Sequence, residues 1–266
     1  FLSFQNKNKW KIYDKYEIQK TYYQKTKIKL DKNTKKFLES QHKIHNYLSN
    51  NIRGKCLDIG CGDAKYLKKA KYEYWLGIDT DLNKLSEICD RKHKNCDILH
   101  FDISKEWGIE SQKKIYPFQS YQNYDILFNN KFDNIIINFA INYGIQENNI
   151  QYFIKCIDNL SKNNTTLYVN FLDADLLVKD KDFEKKQKIY FEKSYIQKID
   201  NEYLEIYFDW VHKKPIKEKL LSSELLNTEM KKLGWISLKY YEKQNVQNCW
   251  DKYQNYLTYM KFVKNE

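Results

Sequence analysis

The chain has 266 residues and a formal charge of +11, carried almost wholly by lysine because Arg53 and Arg91 are its only arginines. That length buries one full-size core without requiring a second domain. A lysine-rich surface favours a polyanionic partner such as RNA or DNA, although the heavy Lys, Asn, Ile and Tyr usage, with 2 prolines and 7 glycines, is equally what an AT-rich coding sequence produces. The cysteines, Cys56, Cys61, Cys89, Cys96, Cys156 and Cys249, form no CxxC pair and no metal-like spacing with the histidines. This argues against a zinc site and for reduced thiols, several of them in the core. No apolar run approaches the ~20 residues of a membrane span and no signal-peptide core follows the N-terminus, so a reducing, cytoplasmic compartment and no membrane partner are expected. A start at Phe1 rather than methionine suggests a domain of a longer polypeptide.

Residues 1–36 carry closely spaced lysines among aromatics such as Trp10, Tyr13 and Tyr22, a basic arm that is either solvated or turned toward nucleic acid. From residue 37 onward the sequence reads as one domain. Phe37, Leu38, Ile44, Tyr47 and Leu48 recur at helical spacing and predict an amphipathic helix to Asn50. Short apolar runs then alternate with helical stretches: Cys56 to Ile59, Trp75 to Ile78, Ile98 to Phe101, Ile135 to Phe139 and Leu167 to Phe171. Such alternation predicts an α/β, doubly wound, mainly parallel sheet. Ser104 to Lys131 is polar and reads as an irregular insertion after the third strand. Lys188 to Val211 contains two β-rich runs around Asp200 and Asn201 and predicts an inserted hairpin. Ser222 or Ser223 is a candidate N-cap for a helix to Leu233, with Gly234 just past its end, then Trp235 to Tyr241 and a last strand near Tyr256 to Val263.

The chemistry begins at Cys56-Leu57-Asp58-Ile59-Gly60-Cys61-Gly62, a strand running into a glycine turn. Glycines let backbone approach a ligand that side chains would block. The third glycine of a dinucleotide fingerprint is replaced by Lys65, which disfavours a pyrophosphate cofactor and leaves a non-phosphate adenosine ligand. Asp79 ends the second strand, where a carboxylate accepts ribose hydroxyls, and Asp102 ends the third, where one meets an adenine amine. Together these residues resemble the signature of class I Rossmann-like S-adenosylmethionine methyltransferases, implying a mostly parallel seven-stranded sheet, S-adenosylmethionine as cofactor and no metal.

Further segments, from about Phe37 to Val263, resemble the messenger RNA cap guanine-N7 methyltransferases, particularly those within multifunctional poxvirus-like and cytoplasmic linear-plasmid capping enzymes. Asn138-Phe139-Ala140-Ile141-Asn142-Tyr143 stands for the family's Gln-Phe-Ala-x-His-Tyr, and Ile44-His45-Asn46-Tyr47-Leu48-Ser49 for its Phe-Asn/His-Asn-aromatic-x-Lys. Lys214-Pro215-Ile216-Lys217-Glu218 looks like its Pro-x-x-Glu, Phe171-Leu172-Asp173-Ala174-Asp175 like its turn after the fifth strand, and Tyr256 like its cap-contacting tyrosine. The departures are Ser49 for a lysine that neutralises the cofactor carboxylate, Asn142 for histidine, Asn138 for glutamine and Tyr66 for aspartate; Lys43 or Lys55 is the candidate replacement cation.

The resemblance implies a cofactor site of Ser49, Asp58, Gly60, Gly62, Asp79, Asp102, Ile103, Asn138, Phe139 and Tyr143. It implies a cap site of His45, Asn46, Asn142, Tyr143, Glu218 and Tyr256. The capped RNA 5' end is the implied partner, with triphosphatase and guanylyltransferase domains in the same polypeptide and a small stimulatory subunit as further ones. N7 of guanine has a free lone pair, so positioning rather than a general base drives catalysis. Two other readings share these residues: a methyltransferase of the same fold acting on tRNA, rRNA or a small molecule, and an inactive RNA-binding or stimulatory subunit that kept the fold.

Overall fold

The computed structural model describes residues 2–3, 44–91, 93–191, 194–208, 214–239 and 255–265. The basic arm over 4–36, the predicted helix start at 37–43 and the strand ends at 209–211 and 240–241 lie outside the described residues. Helix α1 runs through residues 44–51, buries Ile44 and Leu48, and leads through the fully buried Ile52 into the sheet.

The strands, in chain order, are β1 (Leu2–Ser3), β2 (Lys55–Ile59), β3 (Tyr74–Asp79), β4 (Cys96–His100), β5 (Phe132–Asn138), β6 (Ser161–Leu172), β7 (Lys188–Phe191), β8 (Ser194–Lys198), β9 (Tyr203–Tyr207), β10 (Ile216–Lys219), β11 (Trp235–Lys239) and β12 (Leu257–Lys264). The main sheet has the order β1-β4-β3-β2-β5-β6-β12-β11. β4, β3, β2, β5 and β6 pair in parallel, while β12 runs antiparallel between β6 and β11. The seven expected strands are all present, and the two-residue β1 adds an antiparallel edge to β4.

Both faces of the sheet are covered, which is why its central strands are apolar nearly throughout. On one face Leu57, Ile78, Phe101, Ile137 and Val169 pack under helices that include α6 (Ile150–Asn159), whose Ile150, Phe153, Ile154 and Ile157 form its buried stripe. On the other, Cys56, Trp75, Ile98 and Ile136 pack against α1 and α2 (Leu82–Asp90). Asp81 caps α2 by accepting the Asn83 and Lys84 amides at 2.9 and 3.2 Å. The helix expected after Pro215 is α9 (Ser223–Lys232), with the Ser222 hydroxyl accepting the Leu225 amide at 3.2 Å and Gly234 beyond its end at φ +80°. The described cysteines are free; Cys56, Cys61, Cys89 and Cys96 are buried, the core placement expected of them. No described helix is long and apolar enough to cross a membrane.

One expectation is corrected, and another, the inserted antiparallel hairpin, is met and extended. The stretch 104–131 is not an irregular insertion: it holds α3 (Ile109–Ile115) and α4 (Tyr121–Phe128), and Tyr124 and Leu127 are fully buried in the main core. Its polar residues are buried for a reason. Gln112 accepts the Asp102 amide at 3.0 Å and donates to its carbonyl at 2.9 Å, and Gln119 does the same for His100 at 3.1 and 3.0 Å. Two glutamine side chains thus satisfy backbone at the end of β4 that a further strand would otherwise pair. The inserted hairpin is in turn a four-stranded antiparallel sheet of order β10-β9-β8-β7 with its own core of Leu172, Phe191, Ile196, Leu204 and Ile206. The predicted run from Ile189 to Ile196 is two strands paired with each other. The turn at Asp200 falls where expected, its carboxylate accepting the Glu202 and Tyr203 amides at 2.7 and 2.8 Å.

Leu127→Ala is expected to lower the unfolding free energy by about 2–5 kcal/mol, the range for deleting buried leucine atoms. Urea denaturation followed by circular dichroism reads it. A change below about 0.5 kcal/mol is what a surface insertion gives, and would remove α4 from the core.

Candidate active site

The site is built at the carboxyl ends of consecutive strands, where a parallel sheet leaves a crevice. Asp58 on β2, Asp79 at the end of β3 and Asp102 just past β4 occupy three neighbouring strands. Between them lies the glycine turn. Gly60 has φ +68°, and a Cβ there would sit 2.3 Å from the Cβ of Ala140, so only glycine lets this turn press against the end of β5. Gly62, at φ +54°, has nothing within 4 Å of the corresponding position and so borders open space.

The three carboxylates differ in surroundings. Asp79 holds the turn: Oδ2 accepts the Gly62 amide at 2.7 Å and Oδ1 the Asp81 amide at 2.8 Å. Asp102 Oδ1 accepts the Ser104 amide and hydroxyl at 2.9 and 2.7 Å and the Tyr143 hydroxyl at 3.3 Å, while its described hydrogen bonds leave Oδ2 unused. Asp58 is 1% exposed; the Tyr66 hydroxyl donates to Oδ2 at 2.5 Å and Oδ1 has no partner. Burial pushes its carboxyl up to about 7, with the Tyr66 hydrogen bond opposing and the Asp79 charge adding to the rise. Tyr66, standing where the resembled family has aspartate, is thereby the donor to a dry carboxylate rather than a second acid beside it. Trp75 Nε1 in turn donates to the Tyr66 hydroxyl at 3.3 Å.

Of the remaining residues expected at the cofactor, Ile103 is buried in the core, its carbonyl accepting Trp107 Nε1 at 3.0 Å. Asn138 ends β5 with Oδ1 buried and unpartnered. Phe139 takes a left-handed conformation at φ +58°, and its amide donates to Asn170 at 3.0 Å. Ser49 is buried and its hydroxyl bonds the His45 and Tyr66 carbonyls at 2.7 and 2.9 Å, so it turns inward and brings no charge. Lys55 does not supply the missing cation either: it begins β2, at the end of the strand away from the glycine turn, and reaches Asn130 at 3.2 Å. Lys43 lies outside the described residues. Arg91 and Lys65 are the cations at the turn itself, Arg91 donating to the Asp63 carbonyl at 2.5 Å and Lys65 pairing with the Asp63 carboxylate at 2.5 Å.

The residues expected at the cap divide. Tyr143 is 37% exposed beside Asp102. Asn142 is buried and works as a staple, Nδ2 donating to the Lys219 carbonyl at 2.8 Å; Gln146 Nε2 makes the matching bond to the Lys217 carbonyl at 3.3 Å. Both come from α5 (Ile141–Gly144) and the turn after it, and together they dock the edge of β10. Glu218 lies between the two stapled carbonyls, on the face that Ile216 shares. It is half-buried, and no hydrogen bond or ion pair to it is found among the described residues; burial alone raises its carboxyl to about 7. Tyr256 is not in this cleft. It is buried in the small core, its hydroxyl donating to Asp180 Oδ2 at 2.6 Å, and burial with that bond pushes its phenol well up. His45 and Asn46 sit by the turn after β2, the His45 ring 5.8 Å from that of Tyr66 and Asn46 reached by Lys69 at 3.4 Å.

One site residue escapes sequence reasoning. Tyr116, just past α3, packs its ring 3.7 Å from that of His100, and its phenol is raised by burial and then by the charge of Asp102, with Asp79 adding less. It thus stands against the end of β4 near Asp102, and nothing in the polar segment around it marked it out. Among the described residues no group of three or more His, Cys, Asp or Glu is placed to hold a metal ion.

Because Asp58 titrates higher in the folded protein than the ~3.9 of a free carboxyl, the native state keeps a proton that the unfolded chain releases. The stability tied to this group is complete below about pH 4 and is lost as pH rises toward 7. Asp58→Asn should therefore gain stability relative to wild type across that window, approaching about 1.4 kcal/mol per pH unit at the steepest point. Chemical denaturation at several pH values measures the difference; a constant difference would mean an ordinary carboxyl.

No protein-family model and no curated protein sequence matches the chain. Its fold does match solved structures. A putative S-adenosylmethionine-dependent methyltransferase from Listeria monocytogenes superimposes with a TM-score of 0.57 at 14% identity, covering 87% of this chain and 99% of that one. An S-adenosylmethionine-dependent methyltransferase from Clostridium acetobutylicum gives 0.51 at 14% identity over 97% and 100%. The N-methyltransferase NodS from Bradyrhizobium japonicum, in complex with S-adenosyl-L-homocysteine, gives 0.51 at 13% identity over 86% and 88%. With its strand order, its antiparallel β12 and its glycine turn between Asp58 and Asp79, the chain has the fold of the class I S-adenosylmethionine-dependent methyltransferases.

Proposed function

We propose that this chain transfers a methyl group from S-adenosylmethionine to N7 of the guanine that caps messenger RNA. The observation that carries the reading is Glu218: a half-buried carboxylate with no hydrogen bond or ion pair found among the described residues, on a strand stapled to the turn that bears Tyr143. A half-buried acceptor without a partner is stabilised as a carboxylate when a ligand supplies donors or positive charge. Guanine offers two adjacent donors, N1–H and N2–H, to a single carboxylate, and it becomes cationic when N7 is methylated.

The residues at the strand ends fit the cofactor. Asp79 retains lone pairs for ribose hydroxyls beyond those used by the Gly62 and Asp81 amides, and Asp102 retains Oδ2 for an adenine amine. Asp58 Oδ1 and Asn138 Oδ1, at the ends of adjoining strands, are buried acceptors awaiting polar hydrogens. When bound, the cofactor supplies an electrophilic sulfonium methyl. The guanine N7 lone pair is free at neutral pH, so no residue has to remove a proton. What the chain contributes is alignment, worth up to about 7–11 kcal/mol when reacting atoms are held in line. It also contributes the Glu218 charge, which favours the cationic product over the neutral base. Asn142 acts indirectly, by fixing the strand that carries Glu218.

Four measurements test this. The purified chain, incubated with radiolabelled S-adenosylmethionine and GpppA- or GpppG-capped RNA, should yield N7-methylguanosine after digestion; cofactor binding without that product, or a label in tRNA, rRNA or another nucleotide, would overturn the cap reading. Glu218→Gln should lower kcat/KM for capped RNA about 10- to 150-fold while leaving cofactor affinity near wild type. The wild-type rate should also rise with pH as Glu218 ionises around 7, a rise the Gln variant lacks. Asp79→Ala should instead weaken cofactor binding about tenfold or more, read by calorimetry.

A further inference from the structure

The solvent side of the small sheet carries an arrangement that the site does not use. Alternation along the strands buries Ile189, Ile196, Leu204 and Ile206, so their neighbours face outward. Tyr190, Tyr195 and Tyr207 form a row across three strands, with ring centroids 6.3 and 5.7 Å apart and planes tilted by 59° and 36°. Tyr190 is 65% exposed. Lys188 Nζ lies 4.9 Å from the Tyr190 ring centre and 3.8 Å from that of Tyr195, and Lys217 Nζ lies 3.7 Å from that of Tyr203. The acid on this face, Glu205, accepts the Tyr195 hydroxyl at 2.7 Å.

We propose that this face is a platform for single-stranded RNA, which stacks unpaired bases on the tyrosine row and lays phosphates along the lysines. The inference rests on the reading of RNA as substrate and adds to it a second point of attachment, away from the guanine, for the body of the transcript. Each part argues for that occupant. Tilted rings on neighbouring strands of an antiparallel sheet offer π-faces at sequence-independent cost, which is how four-stranded RNA-binding sheets hold bases. Ammonium groups resting on those rings gain about 1 kcal/mol from them at exposed sites and exchange that readily for a phosphate. A protein partner would bury the same lysines against its own surface, a cost that a polyanion turns into attraction through counterion release.

The test titrates the whole chain with a fluorescein-labelled, uncapped uridine decamer, reading anisotropy over a salt series. Wild type should bind with log affinity falling linearly in log salt. Tyr190→Ala should weaken binding about fivefold or more, and Lys188→Gln with Lys217→Gln should flatten the slope by about 0.7 for each phosphate no longer neutralised. All of these variants should methylate the dinucleotide GpppA like wild type, which reports that the fold and the guanine site are intact. Unchanged RNA affinity and slope in the variants would overturn the platform, as would equal binding of a duplex of the same length. Loss of self-association in sedimentation with RNA binding untouched would assign the face to a protein interface instead. If wild type fails to methylate GpppA, the cap reading falls, while the decamer titration still decides the platform.

Discussion

The docking of one strand edge on one short turn holds the site together. β10 is the open edge of the small sheet, and an unpaired edge presents amide and carbonyl groups that must be satisfied somewhere. Here the Lys217 and Lys219 carbonyls are satisfied by Gln146 and Asn142, which follow directly on β5 of the main sheet. The Tyr203 hydroxyl adds a bond to the Gln146 carbonyl at 3.3 Å. The two sheets also share an apolar core, in which Leu172 of β6 and Leu257 of β12 pack with Ile196, Leu204 and Ile206. The Asn142 and Gln146 bonds fix β10, the strand that carries Glu218, against the short turn that follows β5. The asparagine that replaces a histidine of the resembled family at position 142 is thus explained by what it bonds, and its short side chain suits a buried hydrogen bond to backbone.

Burial then gives similar residues different work. Asp58, Asp79 and Asp102 are one residue type near the carboxyl ends of three adjacent strands, yet backbone amides satisfy Asp79, Asp102 shares a single oxygen among three donors, and Asp58 is left dry with one tyrosine for company. Glu218 shares one trait with Asp58, a carboxyl raised mainly by desolvation, but it is only half-buried, whereas Asp58 Oδ1 is a buried acceptor without a donor. Carboxylates kept dry in a cleft mark places where a ligand is expected to complete the hydrogen bonding.

The readable parts of the sequence were those in which one physical rule acts alone. Strands β2 to β6 are buried on both faces, and continuous apolar runs announce them; the glycine turn is dictated by φ and close approach at Gly60; the cap of α9 is a serine whose hydroxyl has a single available task. Segment 104–131 misled because Gln112, Gln119 and Asn123 are polar and buried, and polarity reads as exposure until the backbone groups that need those amides are seen. The run Ile189 to Ile196 looked like one strand because aromatic and β-branched residues stand on both sides of positions 192–193. Tyr256 had the right residue type and chain position for a place against the ligand, yet Asp180, which no pattern links to it, claims its hydroxyl. Tyr116 had no pattern at all, since its place depends on a ring stacked upon His100 from another part of the chain.

The charge excess acquires a location through the same reasoning. A formal +11 spread over lysines is compatible with any polyanion and with mere coding bias, so it carries little until particular ammonium groups are found on particular surfaces. Lys217 and Glu218 are neighbours on β10 and face opposite sides of the small sheet, the lysine over the half-buried Tyr203 ring and the acid on the inner face with Leu204. A single strand therefore presents a cation to the outer face and a half-buried acid to the inner one. That separation suits a ligand with two chemically distinct parts, a base that becomes positive where it reacts and a polyanionic tail elsewhere. On the proposed reading it would also divide the energetics: the inner carboxylate would discriminate by donors, an effect salt weakens little, whereas the outer lysines would bind a polyanion without discrimination and weaken steeply with salt.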